Sequence, residues 1–181
     1  EIHSEGRKEA IVEYLLSKDP EDLVETCIAG IFTDELKHIV TNSLCDLAED
    51  EEHFASDPMP NLYFTRDPGA CVGNGINIHH MSTPARRREA LLLKYMVKYN
   101  RDFAVENTPM WYDVYDNYSI EGGDVLVLSK DMVAIGYSQR TTIAGIESFA
   151  EKLLKNSEFK KVLVFDIPKC RAFMHLDTVF T

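Results

Sequence analysis

The feature that most constrains the fold is a change of hydrophobic period along the chain. Ahead of Cys45, apolar residues recur three and four positions apart, the spacing of a helix with one buried face. Ile11, Tyr14 and Leu15 mark a first helix; Leu23, Thr26, Cys27 and Ile31 mark a second. Asp19-Pro20-Glu21 gives the second helix a cap, a proline in its first turn and an early acid. A third helix is expected from Thr33 to Leu44, opening on a Thr-Asp-Glu capping pattern with Leu36, Ile39, Val40 and Leu44 on one face. Residues 1–44 are thus expected to form a small helical lobe, and residues 45–60, acidic and holding Pro58 and Pro60, a solvated linker.

Beyond residue 60 the period shortens. Asn61 to Phe64 and Gly75 to His80 read as strands around a turn at Gly73-Asn74-Gly75, followed by an amphipathic helix from Pro84 to Tyr99. Phe103 to Glu106, Val125 to Leu128, Met132 to Tyr137 and Lys161 to Ile167 read as further strands, with a helix from Thr141 to Lys155. The order strand, strand, helix, strand therefore occurs twice, at intervals of roughly fifty residues, and residues 61–181 are expected to hold repeated α/β units.

Composition removes several classes of function. Nineteen basic against 30 acidic residues leave a net charge of −11, the wrong sign for tracking nucleic acid or an anionic membrane. No apolar run approaches the roughly 20 residues that cross a bilayer. The start is polar, without the apolar stretch of a secretory signal. Cys27, Cys45, Cys71 and Cys170 are scattered with no CxxC pair, which argues against a disulfide framework and a zinc site; a cytoplasmic location is expected.

Three short segments gather ionisable groups at the ends of expected strands: Phe64-Thr65-Arg66-Asp67-Pro68, Glu121-Gly122-Gly123-Asp124 and His175-Leu176-Asp177-Thr178. Each alone has an ordinary explanation. Asp before Pro forms turns, a Glu before two glycines suits a loop, and a lone His among apolar residues is commonly a satisfied core histidine. Together they describe a site that grips a cation and moves protons, and the planar, five-donor guanidinium is the cation that carboxylate pairs match best.

The strings NLYFTRDP (Asn61 to Pro68), EGGDVLVLS (Glu121 to Ser129), GYSQRTT (Gly136 to Thr142) and FMHLDTVF (Phe173 to Phe180) resemble, in that order, the arginine deiminase family. The resemblance covers most of the chain, and the helical beginning resembles the insertion that sets this family apart from related dimethylargininases and amidinotransferases. It implies an α/β fold of ββαβ modules, here an incomplete pseudo-fivefold α/β propeller with the helical lobe at its N-terminus. It also implies hydrolysis of L-arginine to L-citrulline and ammonia through a cysteine-bound thiouronium intermediate, with no metal and no cofactor. Carried over where this sequence matches, Asp67 and Asp177 clamp the guanidinium, His175 is the general acid and base, and Glu121 pairs with His175 or the substrate. Arg140 and Arg86 face the α-carboxylate, and Asn61 and Phe64 shape the pocket. For Arg86, in an Arg86-Arg87-Arg88 run, a solvated helix face is an equal reading. The family's nucleophile lies in a Gly-rich turn before Met-Ser-Met-Pro, a string this sequence lacks. Cys170 and Cys71 read as inert thiols. The chain is expected to resemble the middle of a longer polypeptide, to be inactive alone, and to form a homo-oligomer through unpaired strand edges. The alternatives are a non-catalytic guanidine-binding or assembly protein, or a related amidinotransferase or dimethylargininase.

Overall fold

The computed structural model describes residues 2–36, 43–49, 53–102 and 108–180. The chain divides into two units, Glu1–Pro60 and Asn61–Thr181.

In the first unit, α1 (Glu5–Leu16) starts where the Ser4 hydroxyl accepts the Arg7 N–H. α2 (Pro20–Ala29) starts at Asp19, whose carboxylate takes the N–H groups of Glu21 and Asp22. Gly30, at φ 88°, ends α2 in a conformation that side chains rarely tolerate. The chain then enters β1 (Ile31–Phe32), so Ile31 belongs to a strand and not to the second helix. Where the third helix is expected to begin, the described residues form a 3-10 turn, Thr33–Glu35. Glu35 spends its carboxylate on the Phe32 N–H and the Tyr14 hydroxyl, and Leu36 turns extended and buries in the core, which stops helical growth. Ile39 and Val40 lie outside the described residues. The stretch expected as a linker instead carries α3 (Leu44–Glu49) and β2 (Phe54–Ser56), antiparallel to β1. Ala10, Ile11, Ile31, Leu36 and Ala55 form this unit's core, so Ala55 is anchored by burial and not solvated.

The second unit contains the repeat. β3 (Gly69–Val72) and β4 (Gly75–Ile78) form a hairpin whose turn uses Gly73 at φ 62°. A 3-10 turn, Pro84–Arg86, leads into α4 (Arg87–Tyr99), and β5 (Met110–Tyr112) returns parallel to β4. β6 (Val125–Ser129) and β7 (Met132–Tyr137) form the second hairpin; α5 (Ile143–Asn156), capped by the Thr142 hydroxyl, crosses over to β8 (Lys161–Asp166), parallel to β7. Each module is thus ββαβ, with strand orders β3-β4-β5 and β6-β7-β8. Asn61 to Phe64 is not a strand but a run of tight turns, with Phe64 N–H on Asn61 O and Asp67 N–H on Phe64 O. Tyr63 and Phe64 are exposed there, so no alternating burial holds an extended chain. The strand expected at Phe103 to Glu106 lies outside the described residues; the third strand of this module runs at Met110–Tyr112.

Two apolar layers fix these pieces. Ile78, Met81, Ala90 and Val114 pack where α4 covers its hairpin. A larger cluster takes Val72, Trp111 and Tyr112 from the first module and Val125, Val133, Ile135, Ile146, Phe149 and Leu153 from the second. The two modules therefore share one core, which holds in register the loops that enter β3 and β6.

Candidate active site

Asp67 and Glu121 stand in equivalent places, just ahead of the first strand of each module. A bond from Gly122 N–H to Asp67 O, 3.0 Å, joins the two loops, and the His79 ring reaches the same carbonyl at 2.8 Å. The segment leaving β8 brings His175 between them: its Nε2 lies 2.9 Å from Glu121 Oε2, and its Nδ1 3.9 Å from Asp67 Oδ1. Gly123 permits that approach, since a Cβ there would sit 2.5 Å from His175 Nδ1.

Glu121 is fully buried. Burial pushes its carboxyl up, but bonds from His175 and from both the N–H and hydroxyl of Ser82, at 3.0 and 2.9 Å, hold it below the usual carboxylate range. Burial pushes His175 down, yet the Glu121 bond and the charges of Asp124, Glu121 and Asp67 leave its proton affinity above the ordinary value. The pair sets a buried carboxylate against an imidazole whose charged form it favours.

A cavity of about 870 Å³ opens in front of this pair. Seven of the eight residues singled out in the sequence line it: Asn61, Phe64, Asp67, Arg86, Arg140, His175 and Asp177. Glu121 sits behind His175, outside the lining. Asp177 holds Arg66, with Nε to Oδ2 at 3.2 Å, at the partly exposed side. Arg140 donates to the hydroxyls of Thr83 and, at 3.4 Å, Ser82.

Arg86 is not on a solvated face. It is buried, paired through Nη1 with Asp67 Oδ2 at 2.8 Å and through Nη2 with Glu89 Oε2 at 2.9 Å, and Nη2 also reaches Asn61 O at 3.4 Å. With its donors spent in this way, it places Asp67 so that Oδ1 faces the imidazole. None of the four cysteines lines the cavity, and Cys71 and Cys170 are exposed. Among the described residues no three His, Cys, Asp or Glu side chains stand together as metal ligands.

Sequence reasoning missed Ser82, Thr141 and His79. Thr141 Oγ accepts the Glu121 N–H at 3.1 Å. His79 is fully buried, and burial pushes its ring down to about 4, so it is a neutral support for Asp67. Thr141 lies in the string of residues 136–142 without its role being read there, and no local pattern marks Ser82 or His79.

In fold the chain is similar to DDAH from Pseudomonas aeruginosa, solved as a cysteine-to-serine mutant complexed with citrulline (TM-score 0.54, 21% identity, 65% of this chain and 42% of that one). It is also similar to a mutant of AgrE in binary complex with L-arginine (TM-score 0.50, 21% identity, 67% and 16%). These likenesses show an α/β fold shared with those proteins. The arginine deiminase family profile matches residues 1–181, and the chain belongs to that family. An arginine deiminase of Bacillus cereus is 48% identical over 174 residues, covering 96% of this chain and 42% of its own length. One of Clostridium perfringens is 46% identical over 183 residues, covering 99% and 44%. The chain thus spans less than half the length of these relatives.

Proposed function

We propose that the cavity binds L-arginine, with Asp67 Oδ1 and Asp177 gripping the guanidinium and Arg140 facing the α-carboxylate. What carries the reading is the buried Glu121–His175 pair opening onto the same cavity as both aspartates. Carboxylates suit the in-plane donors of a guanidinium, and a charged imidazole beside its carbon suits proton delivery to a departing amine. The reaction of the whole protein is then arginine plus water giving citrulline plus ammonia, through attack by a thiolate on the guanidinium carbon. Since no cysteine of this chain lines the cavity, the chain by itself binds arginine without turning it over. The two successive ββαβ modules support an arrangement as neighbouring blades of a propeller.

Titration calorimetry with L-arginine on the 181-residue chain tests the reading. Asp67→Asn and Asp177→Asn should each weaken binding about tenfold or more, the scale of a lost charged hydrogen bond. No citrulline should form. Binding unchanged in both variants, or turnover abolished by Cys170→Ala, would overturn it. A guanidine-binding protein without chemistry is the second reading, favoured by the same lack of a cysteine in the lining; turnover by a longer chain of the same sequence removes it.

A further inference from the structure

We propose that Asp124 is the positioning residue of this site: one buried carboxylate ties the segment bearing His175, the turn bearing Arg140 and the backbone of Glu121 to the start of β6. Asp124 closes the EGGD string but has no place in the lining of the cavity. It is fully buried. Its Oδ1 accepts the N–H of Leu176, the residue after His175, at 2.9 Å. Its Oδ2 accepts the hydroxyls of Ser138 at 2.7 Å and Thr141 at 2.6 Å.

The direction of those two bonds is fixed by what the hydroxyls do elsewhere. Ser138 Oγ already receives the N–H groups of Arg140, at 2.9 Å, and of Thr141, at 3.1 Å. With both lone pairs engaged, its own proton goes to Asp124. Thr141 Oγ receives the Glu121 N–H at 3.1 Å and likewise sends its proton to Asp124. Three donors converge, and an ionised carboxylate accepts all of them. No salt bridge to Asp124 occurs among the described residues, so hydrogen bonds and the nearby His175 charge carry its compensation. Gly136 makes room: a Cβ there would overlap Asp124 Oδ1 and lie 2.9 Å from Leu176 Cβ. Leu176 is itself buried against Ala134 and Ile167, so the carboxylate and an apolar anchor together fix the backbone one residue from the imidazole.

Asp124→Asn preserves shape but must either offer amide protons to Ser138 Oγ, which has no free lone pair, or turn them against the Leu176 N–H. The readout is the slowly exchanging, low-field imidazole N–H of His175 in the folded 181-residue chain, assigned by its loss in His175→Gln. Asp124→Asn should erase that resonance while the fold persists, and weaken L-arginine binding about tenfold, the scale of one lost hydrogen bond. Ser138→Ala, which leaves the charge in place and removes one donor, should shift the resonance and weaken binding by a smaller factor. A folded Asp124→Asn chain with the resonance and affinity unchanged overturns the proposal. If Asp124→Asn does not fold, an unaltered resonance in Ser138→Ala overturns it. The affinity arm rests on the guanidinium reading and the imidazole arm does not: a native chain that ignores arginine sinks the first reading, and the resonance still decides Asp124.

Discussion

Replacing Glu121 by Gln keeps the shape of the buried pair and removes one charge. The Gln carbonyl can still take the N–H and hydroxyl of Ser82, now 3.0 and 2.9 Å from Oε1, but its amide would face His175 Nε2 with a donor. The imidazole then has no acceptor for its Nε2 proton, and burial, already its largest influence, turns it neutral. The native pair has a defined pH window. His175, raised in the folded state, contributes stability that is complete below its ordinary value of 6.5 and is lost as pH rises through the folded value. Glu121, lowered in the folded state, contributes stability that is complete above 4.5 and is lost as pH falls through its folded value. The advantage of the native chain over Glu121→Gln therefore peaks between those two values. Its size there is about 2–3 kcal/mol, the scale of a charged hydrogen bond. That is less than the roughly 3–5 kcal/mol for stranding a buried charge, because His175 can release its proton. Above the window the advantage falls by at most about 1.4 kcal/mol per pH unit. Urea unfolding followed by the fluorescence of Trp111, the single tryptophan and part of the shared core, measures both chains from pH 5 to 9. A difference that is flat with pH, or that grows above 6.5, refutes the reasoning.

His79 is buried and neutral, so the unfolded chain takes up a proton that the folded chain refuses between pH 6.5 and about 4. Stability should fall by about 3 kcal/mol on acidification through that window, and His79→Asn, which keeps a donor toward Asp67 O, should flatten the fall in the same urea series. Gly123→Ala pushes a methyl into the His175 ring and should destabilise the second unit by about 1–3 kcal/mol; a melting temperature equal to the native one counts against the close approach. β8 has no neighbour on its outer side among the described residues, and Lys161 N–H and Ile167 N–H both point toward the β7 side, so Val162, Val164 and Asp166 present the free edge. Antiparallel pairing with a second copy centred on Leu163 sets Lys160 against Asp166 at both ends and Val162 against Val164. Light scattering on the order of tens of micromolar should show dimers, and Val164→Lys should give monomers; a native monomer defeats this pairing.

The elements legible in the sequence are those whose evidence is local. Asp19 announces its helix because a cap bonds within three residues, while the helix expected from Thr141 starts at Ile143 with Thr142 as its cap. β7 shows as an apolar run because it is buried between β6 and β8, and β8 shows as one although most of its residues are exposed. β5 did not show: Met110–Tyr112 is three residues long, and its pairing with β4 across α4 defines it. β1 and β2 were hidden for the same reason, each being held by the other. The site divides along this line too. Asp67, Glu121, His175 and Asp177 stood in recognisable strings, whereas Ser82 stood in none and meets Glu121 across 39 residues; Thr141 stood in the string of residues 136–142, but its bond to Glu121, 20 residues away, is set by the fold. Arg86 reads in the sequence as an equal candidate for solvent because, although its pair with Glu89 is three residues away, only the tertiary fold brings Asp67 to it and buries it.

The repeat also explains why the site is electrostatically unfinished. Equivalent loops of two modules deliver Asp67 and Glu121 to one place, and Asp124 and Glu89 lie buried beside them, against Arg86 and His175. Arg66, Arg140 and Arg171 line the less buried walls of the cavity, so the carboxylates outnumber the cations only at its buried end, where burial penalises charge and an entering guanidinium relieves the excess as well as making hydrogen bonds. A ligand of the same shape without the charge, such as citrulline, makes comparable hydrogen bonds and leaves the excess in place. L-arginine should therefore bind the 181-residue chain at least about tenfold more tightly than L-citrulline. Competition calorimetry at pH 7 measures both affinities, and equal binding of the two ligands would mean that hydrogen-bond shape, and not the negative charge at the buried end, governs what this cavity holds.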